Sequence, residues 1–151
     1  MVNAPAERSF DLARSIDLHL RSTAETGEEA VGGVQSGLLG MGEQVTWRAR
    51  HLGVWQTLTS RITRFDRPRS FRDSQVQGPF ARFDHDHLFE AIGGATRMTD
   101  VFDYTAPCGL LGRFAETVLL TAHLTALLTK RATVIKRVAE SDEWKRYTPT
   151  G

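Results

Sequence analysis

Residues 78–107 read GPFARFDHDHLFEAIGGATRMTDVFDYTAP, two runs of alternating apolar and polar residues joined by Gly93-Gly94. A two-residue Gly-Gly loop suits a tight hairpin turn, because both positions can take a positive φ. With Ile92 opposite Ala95 the register follows: Glu90 faces Arg97, Phe89 Met98, Leu88 Thr99, His87 Asp100, Asp86 Val101, His85 Phe102 and Phe83 Tyr104. Side chains alternate across a strand, so these pairs sort into two faces. One face takes Phe83, His85, His87, Phe89, Met98, Asp100, Phe102 and Tyr104, while Arg82, Asp84, Asp86, Glu90, Arg97, Thr99 and Asp103 take the other. The first is the inner face, and the outer pair Glu90 with Arg97 supports the register independently.

Upstream the period of two continues from Glu43, punctuated by turn signals at Leu52-Gly53, Arg67-Pro68 and Gly78-Pro79. This is the pattern of antiparallel strands joined by hairpins. Val45, Trp47 and Ala49 alternate with polar neighbours, a second strand carries Leu58 and Ile62, and further strands are predicted over 69–77, 80–92 and 95–106. The loop at Gly78-Pro79 leaves two registers open. A three-residue loop sets Asp73 opposite His85, and a two-residue loop sets Arg72 there.

The segment 23–42 holds Gly27, Gly32, Gly33, Gly37, Gly40 and Gly42 and reads as loop and irregular strand. Before it, Pro5 suits a first helical turn, and Phe10, Leu12, Ala13, Ile16 and Leu20 recur at helical spacing. One bent helix or two short ones over 5–21 is expected. After Cys108-Gly109 the helical period returns, with Leu111, Phe114, Val118, Ala122, Leu127, Arg131, Val134 and Val138 near one stripe of a long helix reaching about Glu140. The residues SDEWKRYTPTG at 141–151 lack a periodic apolar face and are expected to form a mobile tail to a single domain over 1–140.

The chain has 151 residues, 40% hydrophobic and 25% charged, an ordinary composition for one globular domain. Its formal charge of +1 offers no broad field for a phosphate backbone, so a dedicated nucleic-acid binder is not expected. Cys108 is the lone cysteine and can form no internal disulfide, and the first residues carry no apolar leader; a cytoplasmic protein is expected. The greasiest stretch, 110–128, contains Arg113 and Glu116, and its uncharged part falls short of the roughly 20 residues of a membrane span. A core helix is the reading.

The anomaly is the polar content of the inner face. A histidine opposite an aspartate in apolar surroundings is an acid/base or orienting pair, since the carboxylate fixes the imidazole tautomer and raises its pKa while burial lowers it. His87 with Asp100, and His85 beside them, are the candidate catalytic groups. A satisfied polar pair lining a wet cavity, or a hydrogen-bonding contact to a ligand, uses the same residues. His85, His87 and Asp100 also make a two-histidine, one-carboxylate set of the kind that holds iron or zinc. No further ligand has recognisable spacing, so neither metal nor cofactor is expected. The run Arg61, Arg64, Arg67, Arg69 and Arg72 is offset by Asp66 and Asp73 and reads as a solvated face. Cys108 reads as a bystander thiol.

Five segments and one helix carry a family resemblance: 3–12 (NAPAERSFDL), 42–50 (GEQVTWRAR), 67–73 (RPRSFRD), 78–89 (GPFARFDHDHLF), 99–109 (TDVFDYTAPCG) and the closing helix with Arg131. Over residues 2–140 the chain resembles the SRPBCC superfamily of START, Bet v 1-like and polyketide cyclase/dehydrase domains, and most of all a bacterial ligand-binding group within it. The resemblance implies an α+β helix-grip fold, a curved antiparallel sheet wrapped around a long C-terminal helix. It also implies a cavity for a small hydrophobic or amphipathic ligand, in the usual range of about 300–1,000 Å³. Trp47, Leu58, Phe83, Phe89, Met98, Phe102 and Tyr104 would line it from the sheet, Phe114 and Val118 from the helix. His85, His87 and Asp100 would be its polar groups. Two alternative readings stand beside it: a cyclase/dehydrase-like enzyme moving a proton with His87 and Asp100, and a regulatory interaction module whose cavity is filled by its own side chains. Family members open with a strand, yet only Met1-Val2-Asn3 precede Ala4-Pro5. Either the start lies upstream or the sheet lacks its first strand, and the second case leaves an exposed edge that invites a homodimer.

Overall fold

The computed structural model of the chain describes residues 1–106 and 114–148, the side chains of 114–117 excepted. Two short helices open it, α1 (Ala6–Ala13) and α2 (Ile16–Ser22). They are separate because Ser15 breaks the first and caps the second, its Oγ accepting from the Leu18 N–H at 3.3 Å. Six strands follow, β1 (Glu29–Gly33), β2 (Gln44–His51), β3 (Val54–Asp66), β4 (Ser70–Gln77), β5 (Arg82–Ile92) and β6 (Ala95–Thr105), and they lie side by side in chain order. Every neighbouring pair is antiparallel. The glycine-rich segment thus contributes a strand, and Gly33 shows why glycine is needed there. Its φ is +68°, and a Cβ would lie 2.2 Å from the Gln44 carbonyl oxygen across the ladder. Register shifts between Ala30 and Gly32, at Thr59/Ser60 and at Ile62/Arg64 put extra bend into the sheet.

The hairpin of β5 and β6 has the register expected from Gly93-Gly94, from Ile92 opposite Ala95 to Phe83 opposite Tyr104. Between β4 and β5 the open choice falls on Asp73 opposite His85. The sheet's inner face is divided in two. At one end Phe10 of α1, fully buried, makes edge-on contacts with Phe65, Phe71 and Phe89 at centroid distances of 5.2, 5.2 and 5.4 Å. That end is dry core. The other end, around Phe83 and Phe102, is covered by the long helix α3 (Phe114–Ala139).

α3 is anchored in the core at its C-terminal end. Ile135, Val138 and Ala139 are buried in the core, Lys136 Nζ donates to Met1 O at 2.8 Å, and Glu140 accepts from the Asn3 N–H at 2.7 Å. Toward its start Leu120, Leu124, Leu127 and Leu128 face the sheet without being fully buried, because the helix stands off and leaves space between. The expected stripe is out of phase there: Val118 is 52% exposed and Ala122 is exposed. This half of the helix is apolar on nearly every side, so spacing alone does not select the inward face. By length and composition Val118–Ala139 could also cross a membrane, but here it closes the sheet.

Two further expectations change. Residues 142–146 form a 3₁₀ turn, and Trp144 and Tyr147 pack on the core. The Arg8 guanidinium lies 4.4 Å from the Trp144 ring centroid, and Arg21 pairs with Glu143 at 2.5 Å. The segment to Thr148 is therefore part of the folded body and not a tail. At the free edge of β6, Val2 exchanges two backbone hydrogen bonds with Thr96 at 2.9 and 2.8 Å. The place of a first strand is thus held by a single bridge, and the homodimer expected through this edge is not supported.

Candidate functional site

The space under α3 is a cavity of about 170 Å³. It is smaller than expected because Phe80, Phe83, Phe102 and Trp47 crowd it from the sheet side and four leucines from the helix. Among this apolar lining the histidines stand out. The chain has five, and His19, His51, His85 and His123 line the cavity. The fifth, His87, lies behind His85 with ring centroids 3.8 Å apart and the rings tilted by 42°.

The deep pole is built by β4, β5 and β6. His85 and His87 lie between two carboxylates: Asp100 Oδ1 is 3.1 Å from His85 Nε2 and 2.9 Å from His87 Nδ1, while Asp73 Oδ2 is 2.9 Å from His87 Nε2 and 3.8 Å from His85 Nδ1. His87 also lies flat on Phe71 at 4.2 Å, so it faces the dry core, and His85 faces the cavity. Burial works to raise Asp100, but the two imidazoles outweigh it and hold the carboxyl far below the usual carboxylate range. Asp73 behaves alike: burial is outweighed by the His87 hydrogen bond and by the charges of His85, His87 and Arg131. Burial pushes His85 below the ordinary histidine value, helped by the charge of His87 and opposed by Asp100 and Asp73.

The shallow pole is built by α2, β2 and α3. His19 pairs with Glu28 at 2.9 Å and stacks on Trp47 at 4.2 Å, and His51 Nδ1 lies 3.1 Å from His123 Nε2. The second contact ties the β2–β3 hairpin to the closing helix. It needs one ring nitrogen to donate and the other to accept. Burial pushes His51 below the ordinary histidine value, with His123 adding to the shift and Glu28 opposing it.

Of the sheet residues expected at the cavity, Trp47, Leu58, Phe83, His85 and Phe102 line it. Phe89 and Met98 belong instead to the core beneath α1. His87 and Asp100 share the inner face and touch, but they stand behind His85, and Asp100 is reached from solvent at the edge strand. Tyr104 sits outside the cavity lining, its hydroxyl 2.7 Å from Thr121 Oγ1. Val118 points outward, and the side chain of Phe114, like Cys108, lies outside the described residues. Sequence reading missed His19, Glu28, His51 and His123. The usable signal was the distribution of histidines: each sits in or beside an apolar run, but their convergence depends on long-range packing.

Asp73, His85 and His87 each offer one donor atom within 4.8 Å of the others, a donor set that could hold zinc or iron. The carboxylates already serve both rings, and Arg131 brings a fixed cation to the same cavity. The cluster is satisfied as it stands.

The sequence matches no family model and no curated protein. Solved structures do match the fold. The Zhui aromatase/cyclase of a Streptomyces species aligns with TM-score 0.71 at 16% identity, covering 99% of this chain and 93% of that one. The Panax ginseng major latex-like protein 151 aligns with TM-score 0.66 at 16% identity over 93% of each chain. The chain has the helix-grip fold of these structures. A Thermus thermophilus protein, TTHA0849, matches likewise with TM-score 0.68 at 19% identity, covering 89% of this chain and 91% of that one. In this helix-grip chain the cavity lies where the long helix stands off the curved sheet.

The buried histidines make stability depend on pH. His51 and His85 bind protons less readily folded than unfolded, so their contribution is complete above the unfolded value of 6.5 and is lost as pH falls through it. Asp73, Asp100 and Glu28 are lowered, so they add a second loss below their unfolded values of 3.8, 3.8 and 4.5. Urea midpoints should fall from pH 7.5 to pH 5 and more steeply below 4.5. A midpoint that holds or rises between pH 7.5 and 5 would contradict the assignment.

Proposed function

We propose that the chain binds a small amphipathic molecule in the cavity under α3. The observation that carries this reading is the lining itself: leucines and aromatic rings for most of the wall, with polar groups gathered at two poles. Ligand pockets use that division, apolar area for affinity and a few placed polar groups for orientation. A space of about 170 Å³ suits a ligand with one ring, since a cavity of about 150 Å³ lined by Leu, Ile and Phe admits benzene. Because the space is open, a module whose cavity is filled by its own side chains is disfavoured. A cytoplasmic setting, expected from the lone Cys108, belongs to the same proposal. Native mass spectrometry of the purified protein tests it. A reproducible added mass that is lost on widening α3, by Leu127→Ala with Leu124→Ala, supports binding. An added mass indifferent to those changes counts against the cavity.

A second reading is acid–base catalysis, and one observation favours it. His85 presents its ring to the cavity with Asp100 behind its Nε2, and burial favours the neutral imidazole that a general base requires. The aromatase/cyclase neighbour has an enzyme's name on the same fold. The proton-moving group in that case is His85, with Asp100 and His87 as positioning residues.

A further inference from the structure

Arg131 and Ser60 are polar groups of the cavity to which the site described above gives no part in holding a ligand. Arg131 reaches in from α3, one turn beyond Leu127 and Leu128, and borders both the main cavity and a smaller one of about 40 Å³ beneath it. A guanidinium carries five N–H donors. One of them is used, by Nη2 donating to Ala13 O at 2.5 Å, and among the described residues no carboxylate lies within 4 Å of the group. Asp73 is the nearby anion, but its Oδ2 is turned to His87 and His85. Ser60 sits on β3 opposite Val45, borders both cavities and is 4% exposed, and among the described residues its hydroxyl makes no hydrogen bond.

Among the described residues Ser9 Oγ is the one sealed side-chain atom without a partner, so Arg131 and Ser60 are reached from the cavity and present their remaining donors to whatever occupies it. A carboxylate meets both, since it can take two parallel N–H bonds from the planar fork and a third from a hydroxyl. We propose that Arg131 and Ser60 form the anchor of the cavity and that its ligand is a small organic acid with its carboxylate on Arg131. The apolar body then runs along Leu124 and Leu127 toward Phe102. This rests on the binding reading above and names the class of ligand.

The test compares benzoate with benzamide, which has the same ring and nearly the same shape but no charge, by titration calorimetry at pH 7.5. The wild-type protein is expected to bind benzoate at least about tenfold more tightly, the gain of a charge-assisted over a neutral hydrogen-bond set. Arg131→Gln should remove that preference and leave benzamide within about threefold. Arg131→Lys, which keeps the charge and loses the fork, should keep part of it. Equal binding of the two probes by the wild-type protein overturns the anchor while leaving the cavity reading intact, and needs no variant to fold. Retention of the preference in Arg131→Gln overturns it too. If neither probe binds, the cavity reading fails and the anchor with it.

Discussion

Replacing Phe10 with alanine is expected to cost about 3–5 kcal/mol, the range for deleting a large buried ring. Phe10 is fully buried and its ring touches Phe65, Phe71 and Phe89 together. Its removal leaves a hole that three strands of a hydrogen-bonded sheet cannot close, so the cavity term adds to the lost transfer energy. A domain of this size has only about 5–15 kcal/mol in total, and its melting temperature moves about 2–4 °C per kcal/mol. A fall of roughly 6–20 °C should follow. Leu119→Ala, on the outward face of α3 at 63% exposure, should stay within about 0.5 kcal/mol. Urea unfolding of both variants checks the pair. A Phe10 variant within 1 kcal/mol of wild type would mean that the dry end of the sheet is not the main core.

The second large effect separates binder from catalyst at His85. Under the binding reading His85→Phe keeps most affinity for a one-ring probe, because the walls remain and one orienting bond worth about 0.5–1.5 kcal/mol is lost. Under the catalytic reading turnover falls about 10²–10⁴-fold while binding persists. We expect the first outcome. The test belongs on His85 because His87, the sequence's first candidate, turns its face to Phe71 and away from the cavity. His87→Phe should instead act on stability, since it leaves Asp73 Oδ2 and Asp100 Oδ1 without the ring between them. A probe affinity that collapses in His85→Phe while the fold is retained contradicts the binding account.

What sequence could and could not show follows from the range of the interactions. The β5–β6 register was legible because it is set by two glycines and an alternation only a few residues away, and the facing of His87 and Asp100 came with it. Face, however, is not location. Phe89 and Met98 share the inner face with Phe83 and Phe102, but α1 covers the first pair and α3 the second, and only the paths of two distant helices decide which end stays dry. Within the segment expected as loop and irregular strand, the bounds of β1 were not legible because Gly32 and Gly33 have no side chains to alternate, and its need for glycine arises from the Gln44 carbonyl across the ladder. The inward face of α3 was hidden for the opposite reason, an excess of apolar residues on all sides. The shallow pole, His19 with Glu28 and His51 with His123, joins α2, β2 and α3 across most of the chain, beyond what local spacing can reveal.

The central claim is that the space under α3 receives a small molecule, and methyl NMR with a bound one-ring probe tests it most directly. With benzyl alcohol added to leucine- and valine-labelled protein, contacts between probe and methyl groups are expected at Leu124, Leu127 and Leu128, with none at Val118 or Leu119 on the outer face. Probe contacts confined to Val118 and Leu119, or direct contacts of the Leu124 and Leu127 methyls with Phe83 and Phe102 that persist unchanged as probe is added, would contradict it.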